Sequence, residues 1–144
     1  MSTKKGFTFI ELMVVIIIIG MLAMIVMPSF LKRVDEAKIT AAKVQIKSFE
    51  SGLKLFYLDN GFYPSTEQGL KALVEKPTSG RIPSKWREGG YLDKPIIPKD
   101  PWGNDYIYLS PGRKGEDYEI ISYGRDGKEG GEGPDADISS SEIE

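Results

Sequence analysis

Residues 7–27 read FTFIELMVVIIIIGMLAMIVM, an apolar run of 21 residues that constrains this chain more than any other stretch. As a helix it would span ~31 Å, matching the ~30 Å hydrocarbon thickness of a bilayer. At 144 residues the chain has room for one domain, and part of it goes to this run. Lys4 and Lys5 stand in front, so the positive-inside rule keeps the N-terminus cytoplasmic and puts everything after Pro28 across the membrane. A secretory signal peptide also starts with lysines, but its apolar stretch is shorter and ends at a small-residue cleavage site. The run here ends in MLAMIVMPS without such a site, so an uncleaved anchor fits better.

Glu11 interrupts the run, and a carboxylate in hydrocarbon is costly unless neutralised or paired. Two readings of it stand together. Thr8-Phe9-Ile10-Glu11 has the S/T-x-x-E form of a capping box, in which Thr8 caps a helix and Glu11 reaches back to the Thr8 backbone N–H. Phe7 and Leu12 then fall at the staple positions, and an acid in the first turn suits the helix dipole. Alternatively, Glu11 finds a cation outside its own chain.

Past Pro28, which an ordinary soluble helix would not tolerate mid-length, helical periodicity resumes. Ile39, Ala42, Ile46, Phe49, Leu53 and Phe56 recur at three- and four-residue spacing, one amphipathic face, with Lys38, Lys43, Lys47, Glu50 and Lys54 on the others. The helix is expected to run from residue 7 to 58 and stop at Asp59-Asn60-Gly61. The aromatics of that face are read as packing residues rather than a charge-transfer path.

Ser65-Thr66-Glu67-Gln68 forms a second capping box, predicting a short helix through Leu70, Leu73 and Val74 that ends before Pro77. Five prolines between residues 77 and 105 indicate ordered loop. Tyr106-Ile107-Tyr108-Leu109, the turn residues 110–115 and the alternation over 117–123 predict a β-hairpin that covers the helix stripe. The architecture is therefore α+β: a long N-terminal helix, membrane-spanning in its first half, packed against a small antiparallel sheet. Residues 59–105 carry the short helix and loop, and 106–144 the hairpin, an acidic glycine-rich loop and a tail.

The chain has no cysteine and no histidine, which excludes thiolate or imidazole zinc sites and Ser-His or Cys-His nucleophiles. Its formal net charge of −2 gives no general pull towards nucleic acid, and no nucleic-acid partner is expected. Residues 115–144 nevertheless hold ten acids and two bases. Within them, YGRDGKEGGEGPDADI offers the hard oxygens that calcium takes, on glycines that let the chain double back. The spacing is not that of an EF-hand, and a solvated acidic tail is the competing reading.

KKGFTFIELMVVIIIIGMLAMIVMP resembles the class III leader of type IV pilins and type II secretion pseudopilins. GFYPSTEQGLKALVEKP, KWREGGYLDKP, DPWGNDYIYLSPG and SYGRDGKEGGEGPDADI narrow the resemblance to the major pseudopilin of type II secretion, with a type IV pilin-like fold. Type IV pilins usually close a C-terminal loop with a disulfide, which this chain cannot do, and its SSSEIE tail stands where many relatives carry an aromatic residue.

The resemblance implies that residues 1–6 are a leader, removed between Gly6 and Phe7 by the prepilin peptidase, which methylates the new N-terminal Phe7. It implies that Glu11 pairs with the N-terminal amine of a neighbouring subunit during assembly. It also implies a C-terminal calcium-binding loop, with Asp126, Asp135 and Asp137 as carboxylate ligands and the carbonyls of Tyr123 and Lys128 as weaker assignments.

The expected function is a structural subunit, not an enzyme. It is anchored once in the bacterial inner membrane and polymerises into a periplasmic pseudopilus that supports export of folded proteins. Copies of itself, minor pseudopilins and the inner-membrane assembly platform and motor are the implied partners. Two alternatives are a type IV pilin-like subunit of a surface or electron-carrying filament, and a membrane-anchored periplasmic enzyme or binding domain. For the latter the sequence carries neither a P-loop nor G-x-S-x-G.

Overall fold

The computed structural model describes residues 2–143; Met1, at the start of the expected leader, and Glu144, at the end of the SSSEIE tail, lie outside the described residues. The chain divides into two compact units, Met1–Glu36 and Ala37–Glu144.

The helix α1 spans Phe9–Asn60, 52 residues, and continues as α-helix through Pro28, where the ring costs it one backbone donor. It begins two residues later than the expected start at residue 7, because Thr8 takes the N-cap position and ends the helical dihedrals there. It ends at Asn60 rather than 58. There the Asn60 amide turns back to donate to the Phe56 carbonyl, and Gly61 N–H donates to the Tyr57 carbonyl. In the first unit α1 is long and apolar enough to cross a membrane, and none of its most apolar window is buried within the chain.

In the second unit the stripe predicted from periodicity lies inward. Ala42, Ile46, Phe49, Leu53 and Phe56 are fully buried, and Ile39 packs against the same cluster. They meet Leu70, Leu73, Tyr91, Tyr106, Tyr108, Ile120 and Ile138. Phe49 stands edge-on to Tyr106 at 5.1 Å between ring centroids, and Phe56 packs on Phe62 and Tyr91. Gly52 permits the approach of the loop: a Cβ there would lie 3.0 Å from Leu92 and 3.1 Å from the Tyr91 carbonyl oxygen.

The second capping box forms, Ser65 N–H donating to Gln68 Oε1 at 3.0 Å and Gln68 N–H to Ser65 Oγ at 3.2 Å. The short helix expected beyond the box forms as a 3-10 helix. Gly69 sits at φ +62°, which breaks the helical run, and the chain resumes as a four-residue 3-10 helix, Leu70–Leu73. The proline-rich stretch is fixed by side chains. Trp86 Nε1 donates to the Ala72 carbonyl at 2.8 Å, and Gln68 Nε2 donates to the carbonyls of Ser79 and Arg81.

The sheet has three antiparallel strands in the order β1 (Ile107–Leu109), β2 (Glu119–Ser122), β3 (Ile138–Ser139). The hairpin matches expectation, whereas β3 is an addition to it. It returns from the acidic loop to pair Ile121 with Ser139 and Ser122 with Ile138. The central strand β2 is consequently buried at all four residues, the polar Glu119 and Ser122 included.

That burial includes a carboxylate. Glu119, 1% exposed, accepts from Arg113 Nη2 at 2.9 Å, Arg113 Nε at 3.1 Å, Arg113 backbone N at 2.9 Å and Ser139 Oγ at 2.7 Å. These donors replace the lost hydration. The Arg113 guanidinium, followed by the Ser139 hydroxyl, holds the Glu119 carboxyl down to about 2.

The folded-state value lies below the ordinary ~4.3, so the stabilisation is complete above that pH and is lost as pH falls towards 2. Arg113→Ala leaves a buried acceptor short of donors and is expected to cost ~1–3 kcal/mol at pH 7. Denaturant titrations of the full chain in detergent should show the wild-type advantage over this variant shrinking between about pH 5 and pH 2. A difference independent of pH would contradict the assignment.

Candidate functional site: the helix start and the acidic loop

Two regions carry the residues singled out by sequence. At the helix start, Thr8 N–H donates to Glu11 Oε2 at 2.8 Å, and Glu11 N–H donates to Thr8 Oγ1 at 3.3 Å. Both halves of the capping box are therefore made, and the Glu11 carboxylate has a partner within its own chain. Phe7 stands just outside the helix and is 85% exposed, while a Cβ on Gly6 would meet nothing within 4 Å. The backbone around the Gly6–Phe7 bond is thus non-helical and unencumbered, with no helical hydrogen bonds to break before an enzyme can grip it.

The acidic loop joins β2 to β3. Its base is set by Asp100, buried at 4% exposure, whose Oδ1 accepts from Trp102 and Asn104 N–H and whose Oδ2 accepts from Ser122 Oγ at 2.7 Å. Asn104 Nδ2 then donates to the Gly124 carbonyl at 3.2 Å. Gly124 is required: at φ +68°, a Cβ there would stand 2.8 Å from the carbonyl oxygens of both Pro134 and Ala136. Close approach at this point lets the two arms of the loop run together.

The three aspartates are spread through the loop. Asp126 Oδ1 accepts from Lys128 N–H at 3.1 Å, an Asx turn. Asp137 accepts from Gly130 N–H at 3.0 and 3.1 Å on its two oxygens. Asp135 is gripped by Arg125, Nε to Oδ1 at 2.9 Å and Nη2 to Oδ2 at 3.0 Å, which holds its carboxyl below the usual range. Tyr123 follows directly on β2, and Lys128 sits at the exposed tip.

Among the described residues no three acidic groups converge on one point. The donor chemistry of Asp126 and Asp137 suits a hard cation, since each carboxylate keeps lone pairs beyond those used by backbone amides. Asp135 fits less well as folded, because the guanidinium already matches its charge, whereas Asp126 and Asp137 are met by neutral backbone amides. Sequence reasoning missed Arg125, Asp100 and Asn104; the DPWGND segment, with its Asx-turn composition, was the available signal for the last two.

Two family models match the chain. "Prokaryotic N-terminal methylation motif" covers residues 1–27, and "Type II secretion system (T2SS), protein G" covers residues 29–141. The chain belongs to the type II secretion protein G family. The type II secretion system core protein G of Pseudomonas aeruginosa is 52% identical over 137 residues, 95% of this chain and 94% of that protein. Its counterpart in Vibrio cholerae is 48% identical over 144 residues, all of this chain and 96% of that protein. The crystal structure of the major pseudopilin from the type 2 secretion system of enterohaemorrhagic Escherichia coli is 41% identical, with a TM-score of 0.65 over 75% of this chain and 90% of that one. Against protein G, the long apolar helix with a small three-stranded antiparallel sheet is a pseudopilin fold, and the family is one of structural subunits rather than of known enzymes.

Proposed function

We propose that the chain is a structural subunit of the type II secretion pseudopilus, polymerising to support export of folded proteins across the outer membrane. One observation carries this reading: a methylation motif over residues 1–27 abuts a protein G match over 29–141, on a helix whose first half finds no cover within the chain. Lys4 and Lys5 before the apolar run support a single-pass inner-membrane anchor with a cytoplasmic N-terminus. Cleavage after Gly6 by the prepilin peptidase frees Phe7 for methylation. Copies of the chain, minor pseudopilins and the assembly platform with its motor are the partners in this reading. Glu11 holds its own helix start in the free subunit and exchanges that bond for a neighbour's N-terminal amine on assembly.

Electron microscopy of sheared material from cells expressing the chain should show thin filaments containing it. Uniform recovery of monomer in the membrane fraction would count against polymerisation.

Calcium belongs to the same reading. Asp126 and Asp137, with the carbonyls of Tyr123 and Lys128, are the donors offered; Asp135 joins them on release from Arg125. Bound, the ion supplies a charge that draws the two arms of the loop together and so steadies β3. With calcium a hundredfold above its dissociation constant, linkage adds ~2.7 kcal/mol. The full chain in detergent should melt higher in calcium than in chelator, and Asp126→Ala should remove most of the gain. Equal melting temperatures for wild type in calcium and chelator would remove the site, and an equal rise in magnesium would replace it with general screening.

A further inference from the structure

The acidic loop already contains a cation. Arg125 lies ten residues before Asp135, and its guanidinium fork engages both carboxylate oxygens at 2.9 and 3.0 Å. The backbone makes the same junction, Arg125 N–H donating to the Pro134 carbonyl at 2.9 Å. The loop folds tightly around the pair: a Cβ on Gly131 would fall 2.5 Å from the Asp135 carbonyl oxygen. Three hydrogen bonds thus close residues 125–135 onto themselves, and β3 begins three positions beyond Asp135.

We infer that Arg125 is the built-in cation of this loop, closing it without metal and holding Asp135 away from a metal for as long as the pair is made. The inference departs from the ligand set Asp126, Asp135 and Asp137 implied by family resemblance, and it does not rest on calcium being bound. A half-exposed ion pair ordinarily contributes little, and this one is 52% and 31% exposed on its two sides. Two features set it apart. The contact is a parallel two-bond fork, which a lysine cannot copy, and the arginine's own backbone is tied to the residue before its partner. The side chain has little freedom left to lose, so more of the attraction survives as loop closure.

Hydrogen-exchange mass spectrometry of the full chain in detergent tests this. In chelator, Arg125→Ala and Asp135→Asn should each speed exchange of amides in 124–135 by roughly three- to tenfold, the range of a two-bond pair at a partly exposed site. Arg125→Lys should recover only part of the protection. Calcium should then restore protection in Arg125→Ala more than it changes wild type, because Asp135 is released to the ion. Wild-type exchange rates for Arg125→Ala in chelator overturn the inference. Absence of any calcium effect in either protein would instead remove the calcium reading, while the chelator comparison alone decides the role of Arg125.

Discussion

Mass spectrometry of the chain recovered from membranes should give a protein that begins at Phe7 and carries one added methyl group, and Gly6→Val should abolish that product. The bond lies ahead of the helix, whose capping box starts at Thr8, so cutting it breaks no helical hydrogen bond. A Cβ at residue 6 meets nothing within 4 Å, so a valine there is accommodated by the folded chain. Any loss of processing in Gly6→Val is then a property of the peptidase's grip on the backbone, not of misfolding. The methylation motif over residues 1–27 motivates the expectation. An intact Met1, or a cut near Ala23 or Met27, would refute it.

Glu11→Ala should enter the membrane and fold its exported part as the wild type does, yet yield no filaments. Magnitudes separate the two roles of this carboxylate. Losing a helix cap costs ~0.5–2 kcal/mol, confined to one helix end. Removing one partner of a buried charge pair costs ~3–5 kcal/mol, because the other charge is stranded without water. In a filament that loss recurs at every subunit junction, so assembly falls by more than roughly a hundredfold. Thr8→Ala removes only the cap hydroxyl that accepts from Glu11 N–H, whereas the Thr8 backbone N–H still donates to the Glu11 carboxylate, which keeps its charge. Filament yield close to wild type in Thr8→Ala and none in Glu11→Ala is the expected pattern. Equal damage from both would leave the cap as the whole role of Glu11.

Where sequence and structure agree, the governing interactions are local. Both capping boxes lie within four consecutive residues, and the α1 stripe needs only the 3.6-residue period, so each is readable as a string. The features hidden from the sequence depend on distant partners. The two-residue strand β3 has no periodicity of its own and exists because β2 offers it an edge. With β3 in place, β2 becomes a central strand, which is why Glu119 and Ser122 are buried along with Ile120 and Ile121. At 65–74 the capping box and the short helix both form, and what composition does not announce is the positive φ of Gly69, after which that helix is 3-10.

In the acidic loop the donor types are visible in the sequence, but the pairing of Arg125 with Asp135 is not. Ten acids and two bases over residues 115–144 leave many possible pairs, and only the fold selects one.

The hold of Ser139 on Glu119 ties the strand β3 to the buried charge of β2. Ser139 lies in β3, and its hydroxyl reaches a carboxylate that β2 commits to the interior. A variant in which β3 cannot pair keeps the buried charge and loses a donor and an edge strand together. Such a variant would spend more of its time unfolded, the state that cellular proteases degrade. Loss of β3 would therefore strand a buried charge and bare the edge of β2 in the same event.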